Sequence, residues 1–230
     1  MSLMLPGTYA LLVLLSPGQG APADTAAAGT AWRSAIALND EALPLTSRSV
    51  RPRRDSLLAQ AQREARRAVT LAPENPNARF ALGLVLGNTA LTKSTRERVK
   101  MAAEIRSTAL RAVALDSTHD GAHHLLGRWH YEIMRLSGLE RFIAKKILGG
   151  GVFGLASWGE ARRELELAVS LDPTRIYHRL DFARILAARK ETVLAQAQLR
   201  RVAELPDRVA ADSTYRREAR ELLAKLTPAP

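Results

Sequence analysis

With 230 residues and 47% hydrophobic side chains, the chain can bury one sizeable core and is not of disordered composition. It has no cysteine, which excludes disulfides, thiolate catalysis, cysteine-based zinc sites and a cysteine-linked lipid anchor. The formal net charge of +11 points to acidic partners, but the basic residues are scattered through the predicted helices and not massed in a tail, so nucleic acid is not expected and the scatter equally reads as a habit of composition.

The elements run as follows. Tyr9 to Leu15 is a short apolar run, and Ser16 to Ala21 resembles a small-residue cleavage region. That is signal-peptide grammar, although no Lys or Arg precedes the run, which is too short to span a bilayer. Residues 1–29 are therefore read as a signal peptide or hydrophobic amino-terminal tail plus a flexible lead-in from Pro22 to Gly29. The protein is exported, to a periplasm or outside the cell, if the signal is real, and cytoplasmic otherwise. Alanine, leucine and arginine dominate, β-branched alternation is absent, and the fold class is all-α. Helices are expected at Thr30 to Ala42, Asp55 to Leu71, Asn77 to Thr89, Thr95 to Leu115, Asp120 to Leu148, Trp158 to Leu171, Ile176 to Arg189, Thr192 to Glu204 and Asp212 to Leu226. Together they make a helical domain over residues 30–226, followed by a disordered end at 227–230.

Four of these helices stop alike: ARRAVTLAP (Ala65 to Pro73), LRAVALDS (Leu110 to Ser117), LELAVSLDP (Leu165 to Pro173) and a frayed RRVAELP (Arg200 to Pro206). The leucines Leu171 and Leu205 stand 34 residues apart, the tetratricopeptide period. The intervals from Leu71 to Leu115 and from Leu115 to Leu171 are 44 and 56 residues, one repeat plus insertions of 10 and 22. Ten residues beyond three of the stops come the large-small pairs Leu82-Gly83, Leu126-Gly127 and Phe182-Ala183, as close helix crossings require. Before the stops, Ala61 and Ala68, Ala112, Ala161 and Ala168, and Ala195 take the small positions of the second helices. The expectation is a tetratricopeptide-like right-handed solenoid of about four helix pairs with a carboxy-terminal capping helix.

The insertion in the third repeat, Arg141 to Ser157, is apolar, glycine-rich and carries Lys145 and Lys146. It reads either as a membrane-touching edge or pocket lid, or as an extended helix with a packed loop. Little else carries chemistry. His119 and His123 stand four apart, as helical metal ligands can, but no matching carboxylate set accompanies them. His123 and His130 fall at interior positions. No nucleophile elbow, phosphate loop or dinucleotide fingerprint occurs, so no catalytic residue, cofactor or metal is expected.

In such solenoids the first helix of each pair lines a concave face. Phasing puts Phe80, Leu84, His124, Arg128, Tyr131, Tyr177, Leu180 and Arg184 there, an apolar and aromatic surface with two arginines. It suits a ligand with an apolar body and an anionic head. The lysine-asparagine set that clamps chaperone carboxylate tails is absent. The leading reading is a non-catalytic scaffold that takes a protein segment or peptide, acidic in character, in its groove. The alternatives are a lipid-binding or lipid-transfer domain for an anionic phospholipid or membrane surface, or burial of these residues by the last helix.

One block is more specific than the repeat. HHLLGRW (His123 to Trp129), Tyr131, LERFIAKKILG (Leu139 to Gly149), Glu160-Ala161 and the closing LDP resemble the regulator of microtubule dynamics family over about fifty residues. Weaker similarity extends from about Asp55 to Pro206. Trp158 departs from an expected Tyr or Phe, and the Gly149 to Gly154 loop lacks expected prolines. The resemblance implies a compact tetratricopeptide-like domain without enzymatic activity. Animal members are tied to microtubules, to organelle contacts and, in one branch, to phospholipid held in a cavity of this domain.

Overall fold

The computed structural model describes residues 22–146 and 151–227. The described residues form ten α-helices and no strand. They are α1 Pro22–Ala42, α2 Arg51–Leu71, α3 Pro76–Leu91, α4 Thr95–Leu115, α5 Asp120–Met134, α6 Gly138–Lys146, α7 Trp158–Leu171, α8 Ile176–Ala188, α9 Thr192–Glu204 and α10 Asp212–Leu226. Helices α1 and α2, α3 and α4, α5 and α7, and α8 and α9 pack as successive hairpins. Helix α10 caps the stack by packing on α8 and α9. Helix α6 and a 3-10 turn at Gly151–Leu155 are the insertion within the third pair.

Helix ends follow from local side chains. Asn75 Oδ1 accepts from the amides of Asn77 and Ala78, and Ser157 Oγ accepts from Glu160. Ser94 and Glu97 form a reciprocal capping box at the start of α4. The repeat is visible in atoms as well as in spacing. Six residues beyond each of three stops, a side chain bonds the carbonyl of the stop: Arg79 Nε to Pro73 at 2.9 Å, His123 Nε2 to Ser117 at 2.9 Å and Arg179 Nε to Pro173 at 2.9 Å. Each ties the top of a first helix to the end of the helix before it.

The small positions of the second helices are all buried: Ala61, Ala68, Ala112, Ala161, Ala168 and Ala195. So are Leu82, Leu126, Phe182 and Ala183 of the large-small pairs. A side chain on Gly83 would collide with Leu125, and one on Gly127 with Leu165. The core is a row of clusters, as expected when each hairpin covers only its neighbours.

Two expectations are corrected. The stretch from Pro22 to Gly29 is not a lead-in but the first two turns of α1, with Ala28, Ala31, Ala35 and Ala42 buried along one side. Alanine is the strongest helix former, and this stripe lets α1 lie close on α2. The expected helix from Asp120 to Leu148 is two, because Ser137 starts a second capping box. Ser137 donates its amide to Glu140 at 2.8 Å, and Glu140 returns its amide to Ser137 Oγ at 3.2 Å. The export signal expected within residues 1–21 and the end at 228–230 lie outside the described residues.

Candidate functional site

Among the phased side chains lies a buried carboxylate. Asp181 of α8 accepts from His124 Nε2 of α5 at 2.8 Å and from Arg184 Nη1 at 2.6 Å, with Arg128 Nε at 3.5 Å. Arg184 also bonds Glu218 of α10, and Arg128 lies 3.6 Å from Glu132. Burial alone would raise the Asp181 carboxyl. The Arg128 and Arg184 guanidiniums and the His124 bond outweigh it and hold Asp181 ionised, far below the usual carboxylate range. Both arginines thus have a partner within the fold.

Aromatic rings close the cluster. Tyr177 meets His124 edge-on at 4.7 Å between centroids, and Tyr215 of α10 lies 5.9 Å from Tyr177. Burial pushes the hydroxyls of both tyrosines above their ordinary range. His178, with no exposed surface, stacks on His124 at 5.0 Å. Its Nε2 is 3.5 Å from Asp120 Oδ2, too poorly aimed to bond, and neither ring nitrogen has a hydrogen-bond partner among the described residues.

The eight phased side chains therefore divide. His124, Arg128, Tyr177 and Arg184 converge around Asp181. Leu180 is fully buried between α8, α9 and α10, and Phe80 is buried against Ala112 and Ala122. Tyr131 turns to Trp158 of α7, 6.0 Å away. These three are packing residues and not an open groove wall. The reason is α10, which lies on α8 and brings Tyr215 and Glu218 onto the face that the repeat phasing left open. Asp181 and Glu218, which the sequence reading passed over, are the partners that the arginines needed.

An open cleft remains one repeat earlier. It has a volume of about 530 Å³ and lies between α3, α4 and α5, with Glu140 of α6 and Phe153 of the 3-10 turn at its edge. Leu84, Leu91, Val99, Ile133 and Leu136 give it apolar walls, and His124 and Arg128 line it from the side of the Asp181 cluster. Trp129 forms part of the lining, its indole N–H held by the Ala102 carbonyl at 2.9 Å. Thr95, Asn88 and Glu132 supply polar groups. Arg98 lines the cleft, is exposed, and has no ion-pair partner among the described residues. Among the described residues no group of three or more His, Asp or Glu is placed to hold a metal ion.

The curated proteins hold no match to this chain. A solved structure described as "Functional Characterization of Pseudomonas Aeruginosa pilF" is similar over 89% of this chain and 90% of that one, at 17% identity and a TM-score of 0.34. That likeness is too low to bear on the argument. The family model described as "Regulator of microtubule dynamics protein 1-3" matches residues 19–227, nearly the whole chain and all ten of the described helices. The chain, a tetratricopeptide-like stack of helical hairpins, belongs to the regulator of microtubule dynamics family.

Proposed function

We propose that the protein is a non-catalytic scaffold that holds a short segment of a partner protein in the cleft between α3, α4 and α5. The supporting observation is the cleft itself, whose apolar walls carry polar groups and an unpaired arginine at the rim. Its volume lies in the range of small-ligand sites and fits a few side chains. Thr95, and the bonding capacity that Asn88 and Glu132 keep beyond Asn39, Arg128 and Arg135, can serve peptide amides and carbonyls, whereas acyl chains would use none of it. Arg98 favours a segment with an acidic residue beside its apolar anchor.

The test is selection of peptides from a random displayed library on the purified protein, with affinities measured by fluorescence polarisation. Leu91→Glu and Arg98→Glu alter exposed rim positions, so the fold is retained. Selected acidic-apolar peptides should bind the parent protein and lose about tenfold or more to each variant. Peptides that bind all three proteins equally would place recognition elsewhere. Native mass spectrometry that finds a co-purified phospholipid, displaced from the parent protein and absent from Leu91→Glu, would replace the peptide reading by the lipid one.

A further inference from the structure

The insertion in the third repeat turns three of its apolar side chains outward. On α6, Ala144 is buried against the core, while Leu139 and Phe142 are 69% and 57% exposed. Leu155, at the end of the adjoining 3-10 turn, is 55% exposed. Leu139, Phe142 and the exposed Lys146 follow one another at intervals of three and four residues, which is one stripe of a helix. Phe153 of the same turn is buried and Ala144 contributes to the main core, so the edge is anchored from beneath. Leu91, another exposed apolar side chain, lines the cleft together with Glu140.

The link from α3 into α4 reaches this edge at Arg98, which lines the cleft with Glu140, the one acidic residue of α6. That link carries Lys93, Arg96, Arg98 and Lys100, all exposed, against Glu97 alone. None of those four cations, nor Lys146, forms an ion pair among the described residues. By contrast, most cations elsewhere do: Arg66 with Glu104, Arg111 with Glu74, Arg162 with Glu191 and Arg216 with Asp207. Among the described residues no helix is long and apolar enough to cross a membrane.

We infer that the α6 edge docks the domain on an anionic membrane surface, with Leu139, Phe142 and Leu155 entering the headgroup region and the surrounding lysines and arginines meeting lipid phosphates. Apolar side chains that project from a short helix and turn need either a shaped concave partner or a deformable phase. Unpaired cations on flexible stems fit a laterally mobile sheet of negative charge. The attraction adds per residue, so each cation removed should weaken binding about fivefold. The assignment shares Arg98 with the cleft rim, but Leu139, Phe142, Leu155, Lys93 and Lys146, on which its test rests, do not line the cleft.

The experiment is flotation of the full chain with vesicles of phosphatidylcholine alone and of phosphatidylcholine with about one-third phosphatidylserine. Binding is expected to the anionic vesicles, to weaken at high salt, and to fall at least tenfold in Leu139→Glu plus Phe142→Glu. Phe142→Trp should show a blue-shifted emission when anionic vesicles are added. Lys93→Glu plus Lys146→Glu should lose far more binding than Arg200→Glu plus Arg220→Glu, which makes the same change of net charge on α9 and α10. Equal losses from these two pairs would reduce the effect to the general +11 charge and overturn the assignment. It would also be overturned by absence of parent binding, or by a shift from dimer to monomer in Leu139→Glu plus Phe142→Glu without a loss of vesicle binding, which would give the edge to a second copy. Circular dichroism melts of each variant exclude unfolding as the cause.

Discussion

Gly127 shows how much one hydrogen atom can decide. A Cβ there would lie 2.6 Å from Leu165 Cγ, 3.1 Å from the Leu165 amide nitrogen and 3.2 Å from the Ala161 carbonyl oxygen. Two of these neighbours are backbone atoms of α7 and cannot rotate away. Gly127→Leu must therefore push α5 from α7, at a cost of about 3 kcal/mol. Gly87 is the control. The nearest atom to a Cβ there is 3.7 Å away, so Gly87→Ala meets ordinary contact and gains helix propensity, a stabilisation of up to about 1 kcal/mol. Chemical denaturation of the two variants should give midpoint shifts of opposite sign. A midpoint unmoved by Gly127→Leu would mean that α5 and α7 do not cross where the repeat puts them.

At the scale of helices, ends were legible where a short polar residue or a stop marks them. The limits expected for α4, α7, α9 and α10 coincide with those observed. The break between α5 and α6 was also written in the chain, as Ser137 followed by Glu140, but it lies inside a continuous apolar pattern that reads as one helix. The candidate site was half legible. Periodicity assigns a side chain to a face, so His124, Arg128, Tyr177 and Arg184 were grouped. It cannot name the partner across repeats: His124 and Asp181 are 57 residues apart, and nothing local marks Asp181 as the anion between them. Nor does a period say where a capping helix will lie, so an open face and one covered by the last helix were equally compatible with the sequence, and the structure shows the covered one. One helix end is conformationally strained. Lys190, just past α8, has φ 63°, the left-handed region, while the Glu191 amide closes back on the Leu186 carbonyl at 2.9 Å. Glycine is the residue that this cap favours. Lys190→Gly should raise stability by about 1 kcal/mol, seen as a higher denaturant midpoint with an unchanged slope.

For the whole molecule, the histidines in and around the third repeat make stability depend on pH with both signs. His123 of α5 donates from Nδ1 to Glu164 at 2.6 Å and from Nε2 to the Ser117 carbonyl, which together require the imidazolium. The Glu164 bond raises its pKa above the free value of 6.5, against burial and the nearby Arg163. Its contribution is complete below pH 6.5 and is lost as pH rises through the folded value. Burial acts oppositely on His119, His124, His130 and His178, all lowered from 6.5. His178 is moved furthest, since His124 and Arg175 add their positive charge to its burial and Asp172 offsets only part. For these four the unfolded chain takes up protons first, so stability falls as pH drops below 6.5. Each such histidine contributes up to about 1.4 kcal/mol per pH unit in that window. Four groups oppose one, and the acid limb should be the steeper. Melting temperature measured from pH 5 to 9 should therefore peak near neutrality, with His178→Gln flattening the acid limb and His123→Gln the alkaline one. His178 and His124 lie between α5 and α8, so acid should loosen the fourth hairpin and α10 from the rest before the first two hairpins open, in the order that hydrogen exchange reads directly. A single exchange front across all ten helices below pH 6 would show that the junction of α5 and α8 is not where the proton acts.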